Sequence, residues 1–212
     1  MLDQKILDEL WDFDAPAESE ARLRIELEQG GPYDEVERAE LKTQLARALG
    51  LQEKFDEAAE VLLEVQSEQS PAVVARVLLE SGRIINSAGR PDDAAPLFQR
   101  SAEISEEAGL TFLAIDALHM LAIARPEDAE DWTARGVALA EASADPRTQR
   151  WLITLHNNLG WNRFDSGEFD GAIAELTEAA RWADAVGTPE QQQWSQEALA
   201  EVTAVAESDD EA

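Results

Sequence analysis

The chain has 212 residues, which suits one domain or one compact array of repeated units. Its 17 Lys and Arg against 45 Asp and Glu give a formal charge of -28, which argues against nucleic-acid binding and against an anionic membrane surface. The absence of cysteine excludes a disulfide framework, a thiolate metal site and a cysteine nucleophile. With two histidines, His119 and His156, we expect no metal and no cofactor.

The first ten residues are not expected to form a signal peptide. Asp3, Asp8 and Glu9 stand where a signal peptide has a cationic stretch followed by an apolar core. The longest apolar run, 117–124, is too short to span a bilayer and contains His119. We therefore predict a cytoplasmic protein, whose acidity fits either a high-GC genome or a high-salt cytoplasm.

Apolar residues recur at spacings of three and four along the chain, which predicts an all-α protein. Residues 172–180 illustrate the pattern, with Ala172, Leu176 and Ala179 on one helical face. Prolines stand where first helical turns would begin. These are Pro71, Pro91, Pro126, Pro146 and Pro189. Thr188 is expected to cap the last helix at its N-terminus.

A repeated pattern divides these helices into pairs. In the windows 46–65, 82–101 and 160–179, a small residue is followed 12 positions later by alanine and then by large apolar residues. The small residues are Ala46, Gly82 and Gly160. A small residue on the first helix lets the second approach closely, and a single pair cannot bury its own apolar face. The pattern therefore predicts pairs that stack on one another.

The stretch 157–161 (Asn-Asn-Leu-Gly-Trp), followed by 167–173 (Gly-Glu-Phe-Asp-Gly-Ala-Ile), resembles the tetratricopeptide repeat over nearly a full repeat. The resemblance covers about residues 34–187, and the stretches 43–52 and 119–122 are similar to a bacterial group of such proteins without assigned function. It implies a right-handed α-solenoid of stacked antiparallel helix pairs. Arg163 departs from the pattern, because a large aromatic residue is usual there.

The third repeat is degenerate and allows two registers. It aligns either on Ala117 and Ala129, which are 12 apart, or by matching residues 119–122 to 157–160. We prefer the second alignment because it matches four consecutive positions.

The pattern predicts one array over residues 1–207, with about four helix pairs in 34–187. The predicted pairs are 34–50/54–68, 71–88/91–107, 110–124/127–143 and 147–166/168–186. Residues 1–31 form an N-terminal cap and 188–207 a C-terminal cap helix. The acidic residues 208–212 are expected to be disordered.

The inventory of reactive residues indicates that the protein is not an enzyme. Asp116 and His119 share a helical face, but such polar pairs are common on solvated helices. The sequence contains no glycine-rich phosphate loop and no H-E-x-x-H zinc motif. No set of nucleophile, base and orienting group is visible, so we predict no catalytic residues.

The resemblance implies a function instead. In tetratricopeptide arrays the first helix of each pair lines a concave groove that binds peptide segments. The residues carried over lie one helical step from the packing positions. They are Thr43, Arg47, Arg76, Arg83, Asn86, His119, Asn157 and Trp161.

Three arginines on one predicted face stand out in so acidic a chain, and arginine binds carboxylates in a bidentate manner. We therefore predict a scaffold that binds a protein or peptide partner, one that presents a carboxylate. The alternative is that Arg47, Arg83 and Asn86 pair with acids of the chain itself, such as Glu40 or Glu80. Two rival functions remain: a signalling-peptide or small-ligand sensor acting through a partner protein, and a self-associating structural protein.

Overall fold

The computed structural model describes residue 2, residues 4–65 and residues 69–210. These residues are predominantly helical and include no β-strand. They form two compact units, Met1–Arg125 and Pro126–Ala212. The boundary lies inside the third predicted helix pair. Arg125 has an extended backbone (φ -131°, ψ 75°), because the ring of the following Pro126 disfavours helical geometry.

The helices of the first unit agree closely with the predicted boundaries. They are α1 (Gln4–Leu10), α2 (Pro16–Gln29), α3 (Glu35–Gly50), α4 (Phe55–Leu63), α5 (Pro71–Ser87), α6 (Pro91–Glu107) and α7 (Thr111–Ala124). Helix α3 packs against α2, α4 and α5, while α6 packs against α5 and α7. The predicted helix 54–68 is longer than α4, which ends at Leu63 and is followed by a turn at residues 64 and 65. Residues 66–68 of that prediction lie outside the described residues.

Local sequence signals explain where these helices begin. Pro71 and Pro91 occupy first turns, where a missing N–H costs no hydrogen bond. Asp34 caps α3 by accepting a hydrogen bond from the Glu37 N–H at 2.8 Å. The Glu37 carboxylate in turn accepts from the Asp34 N–H at 3.1 Å, completing a capping box.

The second unit begins with a 3-10 turn at Pro126–Asp128 and continues with helices to residue 210. They are α8 (Ala129–Glu141), α9 (Pro146–Gln149), α10 (Trp151–Asp165), α11 (Phe169–Val186) and α12 (Pro189–Asp210). Helix α10 packs chiefly against α11 and also against α8, and α12 packs mainly on α11.

The last helix confirms one prediction and differs from another. Thr188 caps α12 as expected, since its Oγ1 accepts from the Gln191 N–H at 3.2 Å. The Gln191 side chain accepts from the Thr188 N–H at 3.0 Å. The helix continues to Asp210, although residues 208–212 were expected to be disordered. The expectation for residues 211 and 212 lies outside the described residues.

The repeated small residues mark close helix contacts in both units. A Cβ built on Gly82 would lie 2.5 Å from the Phe98 ring, and one built on Gly160 would lie 2.7 Å from Leu176 Cγ. Both contacted side chains are fully buried. The alanines of the repeated pattern, Ala94 and Ala172, lie four residues earlier in each second helix. One helical turn further along, Phe98 and Leu176 reach back over the glycine.

Within the described residues, no helix combines the length and apolar character needed to cross a lipid bilayer.

Candidate functional site

Charged side chains from three helices meet in the first unit. They are Glu40 and Arg47 of α3, Arg76, Glu80 and Arg83 of α5, and Asp116 of α7. The spacings along α3 and α5 are three, four or seven residues, which place these side chains on one face of each helix. We call this set the arginine cluster.

Arg83 is the most tightly held member of the arginine cluster. Its Nη1 donates to Glu80 Oε1 and its Nη2 donates to Asp116 Oδ1, both at 2.5 Å. Burial alone would lower the pKa of Arg83, but these two carboxylates outweigh burial and raise it. Burial would likewise raise the pKa of Asp116, and Arg83 instead holds it below its usual value. The guanidinium therefore ties α5 to α7.

Arg76 and Glu40 form a looser pair at the other end of the arginine cluster. Arg76 Nε lies 3.8 Å from Glu40 Oε2, and the Glu40 side chain is only 1% exposed. Glu40 Oε1 also accepts a long hydrogen bond from the Leu2 N–H at 3.4 Å. Burial raises the pKa of Glu40, and the nearby Arg76 charge opposes this. Removing a carboxylate from water favours its protonated form.

Arg47 is held by its carboxylate partner much more loosely than Arg83 is. Its Nη1 lies 3.6 Å from Glu80 Oε1, which is beyond normal hydrogen-bond length. Its Cζ lies 5.7 Å from the centre of the Phe13 ring, within cation–π range. Burial lowers the pKa of Arg47, and repulsion from Arg83 lowers it further.

A cavity of about 250 Å³ opens beside Arg47. Its polar wall contains Arg47, Glu80 and Arg83. Its apolar wall contains Ala46, Leu51, Phe55, Ile84 and Met120. We call this cavity the α3–α5 pocket. Two large apolar side chains near Arg47 are exposed to solvent: Phe13 is 62% and Leu51 is 48% accessible.

The other predicted site residues of the first unit differ in availability. Thr43 is fully buried, and its Oγ1 donates to the Glu40 carbonyl at 2.7 Å, so it is not available to a ligand. Asn86 is partly exposed but does not line the α3–α5 pocket. His119 is partly exposed on α7, and burial lowers its pKa although Asp116 opposes the shift.

Asn157 and Trp161 belong to the second unit. Trp161 packs edge-on against Phe164, with ring centres 5.5 Å apart, and joins an apolar cluster that includes Ala198 and Val202 of α12. Asn157 Oδ1 is buried and accepts no hydrogen bond from the described residues. Trp161 therefore contributes to the core of its unit, and the predicted binding set divides into six residues in one unit and two in the other.

The predicted charge contrast needs a correction. The three arginines of the arginine cluster face three carboxylates. Two ion pairs of the alternative interpretation are present, Arg47–Glu80 and Arg83–Glu80, and Arg76 also pairs with Glu40. Cations on a helix face of an acidic chain are packed beside acids because an unpaired buried charge is costly. The arginine cluster thus contains equal numbers of basic and acidic side chains, whereas the whole chain has 17 basic and 45 acidic residues.

The second unit contains a smaller arginine-centred group. Arg163 Nη2 lies 3.2 Å from Glu130 Oε1 of α8, and its Nη1 lies 3.3 Å from Glu175 Oε1 of α11. His156 Nδ1 lies 2.7 Å from the same Glu175. In the sequence, Arg163 was notable only because the tetratricopeptide pattern usually has an aromatic residue there. In the structure, its guanidinium pairs with acids of the neighbouring helices α8 and α11.

Sequence reasoning missed the apolar residues of the site. Leu51 and Phe55 follow the end of α3, and Met120 adjoins His119, but their periodicity is that of ordinary core residues. Phe13 lies in the segment between α1 and α2, and only the fold brings it over Arg47. Among the described residues, no group of His, Asp and Glu has the arrangement of a metal site.

Comparisons with known proteins establish the fold only. No family model matches the chain, and no curated protein matches it. Among solved structures it is similar to that of BtubC (BKLC) from P. vanneervenii, with a TM-score of 0.66 and 19% identity. The match covers 92% of this chain and 85% of that one. At this identity the similarity concerns the helical architecture.

Proposed function

We propose that this protein is a non-enzymatic, cytoplasmic scaffold of the tetratricopeptide kind that binds a peptide segment of a partner protein. The binding surface lies on α3, α5 and α7 of the first unit. The observation that carries the proposal is Arg47, a partly neutralised cation beside a pocket with apolar walls. The repeated helix pairs that suggest the family also bring these three helices next to one another along the unit.

The energetics require more than one kind of contact. A charge-assisted hydrogen bond contributes about 1.5–3 kcal/mol, whereas a micromolar complex needs about 8 kcal/mol. Ordering a flexible peptide adds a further cost. Apolar contacts must therefore contribute to the affinity. The exposed side chains of Phe13 and Leu51 lie near Arg47 and can make such contacts. A peptide with an apolar residue next to a carboxylate matches this surface.

A second candidate function is a sensor domain for a small ligand, acting through a partner protein. The observation that favours it is the limited size of the α3–α5 pocket, about 250 Å³. Pockets for drug-sized molecules measure about 300–1,000 Å³, so the ligand would be smaller than these.

Site-specific photo-crosslinking in cells tests the peptide-binding proposal. A photoreactive amino acid replaces Leu51 at the pocket rim. As a matched control it replaces Leu63, which is 62% exposed on α4 and does not line the pocket. The Leu51 position is tested again in an Arg47→Gln background, and Arg90→Gln serves as the control because Arg90 is 63% exposed and pairs with Asp93.

The proposal predicts a discrete adduct with another protein from the Leu51 position that weakens with Arg47→Gln and persists with Arg90→Gln. Mass spectrometry then identifies the crosslinked peptide. Identical adducts from both positions, or adducts that ignore Arg47→Gln, contradict the proposal. An adduct between two copies of this chain supports self-association instead.

A further inference from the structure

We infer that the α3–α5 pocket binds a compact apolar group that ends in a carboxylate. The carboxylate pairs with Arg47, and the apolar part lies against Leu51, Ile84 and Met120. The inference rests on the proposed function for its choice of surface and deepens it by naming the chemistry of the ligand. Such a group occurs both in a free organic acid and in the C-terminal residue of a peptide.

The charge of the ligand follows from the unequal roles of two arginines. Arg83 has both of its terminal nitrogens hydrogen-bonded to carboxylates at 2.5 Å, so it has little capacity for another anion. Arg47 approaches Glu80 only to 3.6 Å and is 24% exposed at the pocket. An anion on Arg47 would balance the repulsion that Arg83 exerts on it. A carboxylate offers the planar, two-oxygen partner that a guanidinium binds best.

Phe13 adds a restraint on Arg47. Its ring lies 5.7 Å from the Arg47 Cζ and stacks on Trp11 with ring centres 4.7 Å apart. The Trp11 Nε1 donates to Gln44 Oε1 of α3 at 2.9 Å, which anchors this aromatic pair on the same helix as Arg47. The guanidinium is thus held between an aromatic face and Glu80, which reduces the ordering cost of binding an anion.

The size of the ligand follows from the pocket volume. A volume of 250 Å³ lies just below the roughly 300–1,000 Å³ of pockets for drug-sized molecules, so the pocket accommodates a ligand of on the order of ten non-hydrogen atoms. Hexanoate has about this size, and a leucine or methionine residue with its free carboxylate is similar. Since burying a methylene strengthens binding by about fourfold, affinity should rise with chain length until the pocket is full.

Met120 provides a reporter inside the pocket. The chain has two methionines, residues 1 and 120, so a protein labelled with ¹³C at the methionine methyl groups gives two signals. The Met120→Leu variant assigns the pocket signal. The full chain is titrated with butyrate, hexanoate and hexanamide, and the shift of the Met120 methyl signal gives each dissociation constant.

We expect hexanoate to shift the Met120 signal saturably and to bind more tightly than butyrate. Hexanamide, which has the same shape without the charge, should bind at least about tenfold more weakly. Arg47→Gln should weaken hexanoate binding by about tenfold, and Arg90→Gln should leave it unchanged. The comparison of acid with amide requires no variant and stands even if Arg47→Gln perturbs folding.

Two further ligands distinguish the sources of the carboxylate. Acetyl-glycyl-leucine carries a free C-terminal carboxylate, and its C-terminal amide does not. Tighter binding of this peptide acid than of hexanoate assigns the pocket to peptide C-termini. Binding of hexanoate without the peptide acid assigns it to free organic acids.

Equal shifts from hexanoate and hexanamide would overturn the inference, as would saturable binding that ignores Arg47→Gln or the absence of any shift. These results are separable from the proposed function. An Arg47-dependent crosslink at Leu51 without hexanoate binding contradicts this inference alone. Hexanoate binding without a crosslinked partner supports the inference and contradicts the peptide scaffold.

Discussion

Each unit contains an arginine that pairs with an acid of a neighbouring helix, but the two pairs differ in burial. In the first unit, the side chains of Arg83, Glu80 and Asp116 are 15%, 6% and 12% exposed. In the second, Arg163 is 28% exposed and its partner Glu130 is 69% exposed. A buried pair depends on both partners because water cannot replace either one, whereas an exposed pair is readily replaced by water. The Arg83–Asp116 pair therefore fixes α5 to α7, whereas the Arg163–Glu130 pair adds little to the contact of α10 with α8.

This difference explains why the first unit offers the better binding site. With Arg83 fixed by two carboxylates, the wall of the α3–α5 pocket is pre-organised and Arg47 faces it with unused hydrogen-bonding capacity. In the second unit Trp161, one of the predicted binding residues, is partly buried against the apolar cluster that includes Ala198 and Val202 of α12.

The largest expected effect comes from breaking the buried pair. Asp116→Ala leaves the Arg83 charge partly unpaired in the interior and should lower the free energy of unfolding of the first unit by about 3–5 kcal/mol. Glu130→Ala removes the exposed partner of Arg163 and should cost about 0–1 kcal/mol in the second unit. Hydrogen exchange of the full chain, resolved by mass spectrometry, reports each unit separately. Equal losses in the free energy of unfolding from the two substitutions would contradict the proposed difference between the buried and the exposed pair.

A second test uses the close contacts of the two units. Gly82→Ala drives a Cβ into the buried Phe98 ring and should cost about 1–3 kcal/mol. Gly160→Ala should cost less, since Leu176 can adjust its rotamer more readily than a ring.

The control for these glycine variants is Gly50→Ala, where nothing lies within 4 Å of the new Cβ. Alanine there should stabilise the first unit slightly, by about 0.5–1 kcal/mol, because Gly50 is the last helical residue of α3. Thermal unfolding checks all three variants, and a Gly82→Ala chain as stable as Gly50→Ala would show that the helices are not closely packed at this position.

A third test concerns pH and His119. Because burial lowers the pKa of His119 below its ordinary value of 6.5, the unfolded chain binds this proton more readily than the folded chain. The contribution of the neutral imidazole to the free energy of unfolding is therefore fully present above pH 6.5. It is lost as the pH falls through the pKa that His119 has in the folded chain. Asp116, Arg83 and Arg47 are the charged groups that act on it.

The His119→Gln variant removes this titration. Between pH 7 and pH 5 the wild-type first unit should lose more stability than the variant, as measured by denaturant unfolding at each pH. Parallel stability curves would mean that His119 is already solvated and plays no part in the pH response.

The spacing of apolar residues and the positions of glycine and proline predicted most of the helices. The spacing of Gly82 and Gly160 located the pairs α5/α6 and α10/α11, and the prolines gave helix starts to within a residue or two. The pattern of helix pairs carries no signal for the boundary at Pro126, which falls between the two helices of the third predicted pair.

The site was predicted only in part. Helical spacing placed Arg76 and Arg83 on one face, but it could not decide which arginine would be neutralised. That depends on Asp116, which lies 33 residues from Arg83 in sequence and forms a hydrogen bond with it only in the folded chain. The position of Phe13 over Arg47 is likewise a tertiary contact with no periodic signal.

The most direct measurement of the central claim, that Arg47 is the cation reserved for a ligand, is the stabilisation that hexanoate gives to the first unit. When the hexanoate concentration is one hundred times its dissociation constant for the wild type, the free energy of unfolding of the first unit should rise by about 2.7 kcal/mol. Hydrogen exchange of α3 and α5 measures this rise. At the same concentration Arg47→Gln, with tenfold weaker binding, should gain only about 1.4 kcal/mol while its stability without ligand stays within about 1 kcal/mol of the wild type. An equal gain in the two proteins, or no gain in either, would contradict the account.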